Sequence, residues 1–152
     1  MSLSSFMTKE IITLEIDDNL SNAKQVFDQH NIHHILIKNG KELAGIITDR
    51  DLYKHLSPNI GTKKETPKDT FLLSKKIHLI MSRELVTAKA NTTLNEAVLL
   101  FHDNHISCLP IVDENFHPIG IISWRDIIKI IAVQYRLKLA KQKNKTPDIN
   151  II

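Results

Sequence analysis

The sequence of 152 residues has a single cysteine, four glycines and few aromatic side chains. One cysteine, Cys108, excludes an internal disulfide framework and any metal site built from several cysteines, and it favours a reducing, cytoplasmic location. No apolar run approaches the roughly 20 residues needed to span a bilayer. The N-terminus lacks a basic region followed by an apolar stretch, so we expect no secretory signal and no membrane association.

The motifs of common enzyme classes are also missing. The four glycines form neither a phosphate-binding loop nor a dinucleotide-binding fingerprint, and neither a nucleophile elbow nor a zinc-protease motif occurs. Eight histidines are present, but they lack a third ligand at metal-binding spacing. His33 and His34, for example, are adjacent on an expected strand and should face opposite ways. We therefore expect no enzyme and no obligatory cofactor or metal.

What the sequence does contain is an internal repeat. A shift of 74 residues carries Met7 onto Met81 and aligns eight identical positions across the two halves. After one extra residue in the second copy, residues 45–51 match residues 120–126. The gap falls next to Asn39 and Gly40, a pair typical of tight hairpin turns because both residues tolerate positive φ. Loops absorb insertions more readily than strands do, which supports the alignment.

Each copy predicts the element order β-α-β-β-α. Apolar residues at helical spacing predict the first helix of each copy, and Thr93 with Glu96 forms a capping box that starts the second of these helices. The closing helices should begin near Asp49 and Trp124. The strands are expected at residues 11–14, 35–37 and 43–47, and at 85–88, 108–112 and 119–122.

These patterns divide the chain into four segments. The first copy covers residues 5–56 and the second covers residues 77–132. The linker at 57–76 contains two prolines and a glycine, so it should be partly flexible near 61–66, with Leu72 and Leu73 docking on the core. Residues 133–152 form a helical extension and a tail, frayed from 146.

An apolar stripe on the last helix exceeds what that helix needs inside one chain. Exposed stripes of this kind mark association surfaces, so we expect a homodimer. The stripe consists of Ile127, Ile128, Ile131, Tyr135 and Leu139.

The repeated set of motifs resembles the CBS family over about residues 5–132. The resemblance is carried by the Met7 and Met81 starts, by the strands at 32–35 and 106–112, and above all by segments 45–51 and 120–126. It implies an α+β fold in which two β-α-β-β-α motifs pack about a pseudo-two-fold axis, the CBS pair or Bateman module. A chain of this length resembles the small stand-alone bacterial proteins built from one such pair.

The resemblance also implies two clefts that bind AMP, ADP, ATP or S-adenosylmethionine. In the family pattern Gly-x-x-Thr/Ser-x-x-Asp, the carboxylate binds the ribose hydroxyls and the hydroxyl group contacts ribose or phosphate. Arg50, Arg125 and His33 add positive charge, so AMP or ATP is expected to bind better than S-adenosylmethionine. One cleft would use Thr48, Asp51, Thr87, Ile106 and Ser107, and the other would use Ser123, Asp126, Thr13, Ile32 and His33.

Two features of these motifs leave alternatives open. Thr48 with Asp51, and Ser123 with Asp126, are also capping boxes, which would explain them without a ligand. Trp124 stands where the first copy has Asp49, and its bulk could stack on a ligand or crowd a cleft.

The expected function is a sensor of adenine nucleotides that acts on an unknown downstream protein. One rival is a ligand-free module for dimerisation or protein interaction. The other is a nucleic-acid binder, because seven basic and two acidic residues follow from Arg125 onward. Nucleic acid is disfavoured because no aromatic ladder or groove-reading motif accompanies this charge.

Overall fold

The fold comes from a computed structural model that describes residues 1–144, so the expected frayed tail lies outside the described residues. Two short 3-10 helices, Leu3–Ser5 and Ile77–Leu79, precede the two copies. The five strands are β1 Thr13–Glu15, β2 His34–Asn39, β3 Glu42–Thr48, β4 Cys108–Val112 and β5 Pro118–Ser123. The five α-helices are α1 Leu20–Gln29, α2 Asp49–His55, α3 Pro67–Leu72, α4 Leu94–Asn104 and α5 Trp124–Lys143.

The first copy is a three-stranded sheet covered by α1 and α2. β1 runs parallel to β2, and β2 pairs antiparallel with β3. The hairpin turn lies at the expected position, with Gly40 at φ 65°, a conformation that glycine adopts without steric cost. The expected hairpin and both helices of this copy are therefore confirmed.

The second copy has a smaller sheet than the sequence predicts. β4 and β5 form the expected antiparallel pair, but residues 85–88 do not form a strand. Ala88 makes a single parallel bridge with Ile111. Pro110 stands in β4 where β2 has Leu36, and proline has no N–H to donate. The parallel ladder therefore cannot extend back from Ala88, and the expectation of a strand at 85–88 was wrong.

The segments that lead into each copy cross over to the other copy. Leu3 is fully buried in the core of the second copy, where its N–H donates to the carbonyl of Thr92 at 2.8 Å. Ile77 is likewise buried in the core of the first copy, and its N–H donates to Asp18 at 2.9 Å. This reciprocal exchange ties the two copies together about the pseudo-two-fold axis.

Close contacts between methionine and glycine mark the crossing points. A Cβ added at Gly45 would lie 2.5 Å from Sδ of Met81, and a Cβ added at Gly120 would lie 2.5 Å from Sδ of Met7. The absence of a side chain at each glycine thus lets the methionine of the crossing segment pack on the strand. A small apolar cluster of Leu36, Leu43 and Val112 lies between the copies.

The linker is more regular than the sequence predicts. It contains α3, which begins with a capping box of Thr66 and Asp69 and has a proline in its first turn. The residue after this helix, Leu73, accepts a hydrogen bond from the N–H of Ser21 at the start of α1. Leu73 is half-buried, so the C-terminal end of the linker does contact the first copy.

α5 is the longest helix, at 20 residues. Ile127 is buried in the core of the second copy, whereas the other members of the expected stripe, Ile128, Ile131, Tyr135 and Leu139, are exposed by 41–61%. Within residues 1–144, none of the helices is both long and apolar enough to cross a membrane.

Candidate functional site

Two clefts lie between the copies and are lined by positions that the repeat makes equivalent. The larger cleft has a volume of about 380 Å³ and opens at the start of α5. The smaller cleft has a volume of about 180 Å³ and opens at the end of β3, before α2. Five of the residues predicted for one site come together in the larger cleft: Ile32, His33, Ser123, Arg125 and Asp126.

The start of α5 places a hydroxyl group and a carboxylate at one wall of the larger cleft. Ser123 is extended, and its Oγ accepts a hydrogen bond from the N–H of Asp126 at 3.3 Å. Oδ2 of Asp126 accepts in return from the N–H of Ser123 at 2.8 Å and from its hydroxyl at 2.7 Å. These bonds engage Oδ2 and leave Oδ1 available to a ligand. Capping is thus present, and it is compatible with binding through the second oxygen.

Two adjacent histidines form the opposite wall. Nδ1 of His33 lies 2.9 Å from Oδ2 of Asp49, and the Nε2 of His34 lies 2.9 Å from the hydroxyl of Ser107. Burial lowers the pKa of His34, and the neighbouring His33 lowers it further. Burial would raise the pKa of Asp49, but hydrogen bonds from His33 and from the N–H of Arg50 outweigh it and hold that pKa below its usual value.

The smaller cleft contains three of the predicted residues, Thr48, Ile106 and Ser107. Thr48 starts α2 with the same capping geometry, because its Oγ1 accepts from the N–H of Asp51 at 3.1 Å and its own N–H donates to Oδ2 of Asp51 at 3.1 Å. Cys108 and Pro110 of β4 line this cleft, at the positions that His34 and Leu36 occupy in the first copy.

Four predicted residues do not line either cleft. Asp51 and Thr87 are half-buried beside the smaller cleft, and Arg50 is exposed on α2. Thr13 lines a separate surface pocket together with Lys38 and Lys41.

Trp124, which could have stacked on a ligand or crowded a cleft, lines neither one. The guanidinium of Arg125 lies 5.1 Å from the centre of its ring. The tryptophan therefore makes a cation–π contact with Arg125, a cleft residue.

Sequence reasoning missed His34 as a cleft residue. Of the described residues, His34 lines both clefts. The alternation of side chains along β2 placed it on the face opposite His33, and it could be assigned to the clefts only once the two copies were packed together. Its equivalent, Cys108, was predicted to be a core residue, and it is 6% exposed, with burial raising the pKa of its thiol to about 12.

No group of three or more histidine, cysteine, aspartate or glutamate residues in positions 1–144 could hold a metal ion.

Comparison with known proteins identifies the repeat. The sequence model of the CBS domain matches residues 3–58 and 75–133. Inosine-5'-monophosphate dehydrogenase of Methanocaldococcus jannaschii is 34% identical over 122 residues, which cover 80% of this chain but only 22% of that enzyme. The CBS domain-containing protein YhcV of Bacillus subtilis is 29% identical over 126 residues, 83% of this chain and 82% of YhcV. Both enzymes and smaller proteins therefore contain this kind of segment.

The fold matches solved structures of the same kind. The CBS domain pair of protein MJ0100, in complex with 5'-methylthioadenosine and S-adenosyl-L-methionine, has a TM-score of 0.72 and 25% identity. The match covers 88% of this chain and 98% of that pair. The expected fold of two motifs packed as a pair is confirmed.

Proposed function

Because the chain belongs to the CBS domain family and its two CBS domains pack as a pair, we propose that it is a regulatory module that binds AMP, ADP or ATP in the larger cleft. The observation that carries the proposal is the lining of that cleft. Ser123 and Asp126 at the start of α5 face apolar and basic side chains across a volume of about 380 Å³. Pockets for small molecules commonly measure about 300–1,000 Å³ and combine apolar walls with a few polar groups.

Each part of an adenine nucleotide has a counterpart in the cleft. Ile32 and Ile121 offer aliphatic surface to the purine. Oδ1 of Asp126 can accept hydrogen bonds from a ribose hydroxyl, since a carboxylate is a two-oxygen acceptor. The Arg125 guanidinium and the His33 imidazole can donate to phosphate, and such charge-assisted bonds are roughly twice as strong as neutral ones.

The ligands of the MJ0100 pair support recognition of an adenosine group by this fold. A phosphate-bearing ligand is favoured over S-adenosylmethionine because Arg125 lines the cleft and prefers anions. The module is not itself an enzyme in this proposal. Its residues would bind and orient a ligand.

Regulation would follow from differential affinity. If the two CBS domains, or two copies of the chain, can adopt two arrangements, a nucleotide that binds one of them better shifts the population toward it. The larger cleft is suited to this role because residues from both copies line it. The downstream partner would sense the arrangement rather than the nucleotide.

A second molecule of the same chain is the partner that the surface of α5 fits best. Ile128, Ile131, Tyr135 and Leu139 recur at spacings of three and four residues, and each is at least 41% exposed. A continuous apolar stripe on one helix face is self-complementary under two-fold symmetry. We propose that α5 forms a homodimer interface through this stripe, and the ligand-free dimerisation module remains the rival function.

Calorimetry with AMP and ATP on Asp126→Glu tests the ribose contact. Glutamate at this position still completes a capping box, so the melting temperature should hold. One added methylene displaces the carboxylate, and a hydrogen bond to a charged group contributes about 1.5–3 kcal/mol. We therefore expect nucleotide affinity to fall roughly 10- to 150-fold.

Asp69→Glu is the matched control, because Asp69 has the same place in the capping box of α3 and lines neither cleft. It should leave both affinity and melting temperature unchanged. If wild type binds AMP and ATP and Asp126→Glu binds them equally well, Asp126 only caps α5. If wild type binds neither, the chain is a ligand-free interaction module.

A further inference from the structure

The two clefts differ in size although the repeat makes their linings equivalent. The larger measures about 380 Å³ and the smaller about 180 Å³, which falls below the range of about 300–1,000 Å³ typical of small-molecule sites. Ser123 and Thr48 start equivalent helices, and Ile32 and Ile106 offer equivalent aliphatic surface. The clefts differ partly because Arg125 and Asp126 line one while their equivalents Arg50 and Asp51 do not line the other, and partly at positions where the copies carry different residues.

One such pair of positions lies between the clefts. The first copy has His34 at the start of β2, and the second has Cys108 at the start of β4. The imidazole of His34 crosses to the second copy, where Nε2 lies 2.9 Å from the hydroxyl of Ser107. It thereby engages a group that the smaller cleft would otherwise offer to a ligand. Cys108, with its short side chain, is buried and makes no equivalent intrusion into the larger cleft.

The two clefts also differ in the cationic groups that line them. Arg125 lines the larger cleft beside His33, whereas no lysine or arginine among residues 1–144 lines the smaller one. Ser107, an uncharged residue, stands where the larger cleft has His33. The larger cleft has two carboxylates, Glu10 and Asp126, and the smaller has one, Glu84, so the clefts differ in having an arginine and not in net charge. A phosphate thus finds a fixed positive charge in the larger cleft alone.

We propose that the pair binds a single phosphate-bearing nucleotide per chain, in the larger cleft, and that His34 closes the smaller cleft by occupying it and bonding Ser107. This inference rests on the proposed function and specifies it. The presence of histidine at position 34 and of cysteine at the equivalent position 108 contributes to the difference between the clefts. The smaller cleft, once opened, would accept the adenosine part of a ligand without preference for phosphate.

The test replaces His34 with the residue of the equivalent position, His34→Cys. Calorimetry and NMR titration with AMP should give one site per chain for wild type and two for His34→Cys. His34 also lines the larger cleft, so the readout is the number of sites and not the affinity of the first one. The new site should bind adenosine and AMP within about twofold of each other, because no arginine lines it. His102→Cys, a change at a histidine whose side chain is 79% exposed, is the control and should keep one site.

Arg125→Ala shows where the wild-type site lies, and AMP affinity should fall about tenfold or more, as expected for a lost charge-assisted bond. Two AMP per wild-type chain would overturn the unequal clefts while leaving nucleotide binding intact. A count of one site in a folded His34→Cys protein at millimolar AMP would overturn the role of His34. Failure of wild type to bind AMP or ATP would overturn the proposed function itself.

Discussion

Burial makes the thiol of Cys108 unreactive in the folded protein. The residue is 6% exposed, and burial raises the pKa of its thiol to about 12, with a further contribution from the charge of Asp126. The thiolate is the nucleophilic form. At pH 8 the folded protein should therefore contain almost none of it.

We predict that iodoacetamide or a disulfide reagent at pH 8 modifies Cys108 only after unfolding. The native protein should react at least about tenfold more slowly than the protein in denaturant, since a free thiol with a pKa near 8.5 is partly ionised at that pH. Mass spectrometry of the modified chain gives the rate. Equal rates in the two states would show that β4 opens readily.

His34 should make stability depend on pH. Burial, and then His33, lowers its pKa from the usual 6.5. As the pH falls below 6.5, the unfolded chain takes up a proton at this site before the folded chain does, so the free energy of unfolding falls. The stability present above pH 6.5 is thus lost progressively toward acid.

We predict that His34→Gln loses less stability than wild type between pH 7.5 and pH 5. Denaturant unfolding at each pH measures the difference, and the other titrating groups cancel because both proteins carry them. Parallel curves for the two proteins would mean that His34 takes up its proton equally well in both states.

The elements could be predicted from sequence wherever the two copies agreed. The helices α1, α4 and α5 and the hairpin strands followed from apolar spacing, capping boxes and the Asn39-Gly40 turn. The strand at 85–88 failed because Pro110 removes a donor on its neighbour, a tertiary effect that local pattern does not register. α3 was missed because Pro67, interpreted as a break, instead starts the helix behind Thr66.

The contacts between crossing segments and strands could not be predicted at all. The identities of Met7 with Met81 and of Gly45 with Gly120 were visible as a repeat. Their physical reason is that each methionine packs on the glycine of the opposite copy. The spacing of residues in the sequence does not indicate against which copy a lead-in segment packs. The same limit hid the role of His34, whose neighbours come from both halves of the chain.

We predict that Gly45→Ala destabilises the protein by about 1–3 kcal/mol, as overpacking typically does. The added Cβ would meet Sδ of Met81 at 2.5 Å and the carbonyl oxygen of Ser82 at 3.0 Å. Gly120→Ala should act similarly through Met7. Urea denaturation measures both changes, and unaltered stability in both variants would show that the methionines move aside freely.

At the scale of the whole molecule, the exposed stripe on α5 predicts association. Ile131 and Tyr135 are 46% and 61% exposed. We predict a dimer for wild type in sedimentation at tens of micromolar, roughly the concentration that reveals weak dimers, and a monomer for Ile131→Glu with Tyr135→Glu, since charges there would have to be desolvated on association.

Phe71→Glu provides the control, because Phe71 is 75% exposed on α3, away from the stripe. It should leave the dimer intact. A monomeric wild type would overturn the homodimer through α5.

The crossing of the lead-in segments also has a consequence for how the chain is made. Residues 5–56 leave the ribosome before Ile77 and Met81 have been synthesised, although both of these residues belong to the core of the first copy. Leu3, the earliest core residue to emerge, has its partners in the second half of the chain. The first domain therefore lacks part of its core when its own residues have been synthesised. The N-terminal segment with Leu3 has no core to pack into until the second half of the chain has been made. Neither half would be expected to survive as a fragment, so a gene cut in the linker should yield two polypeptides that become soluble only when they are produced together.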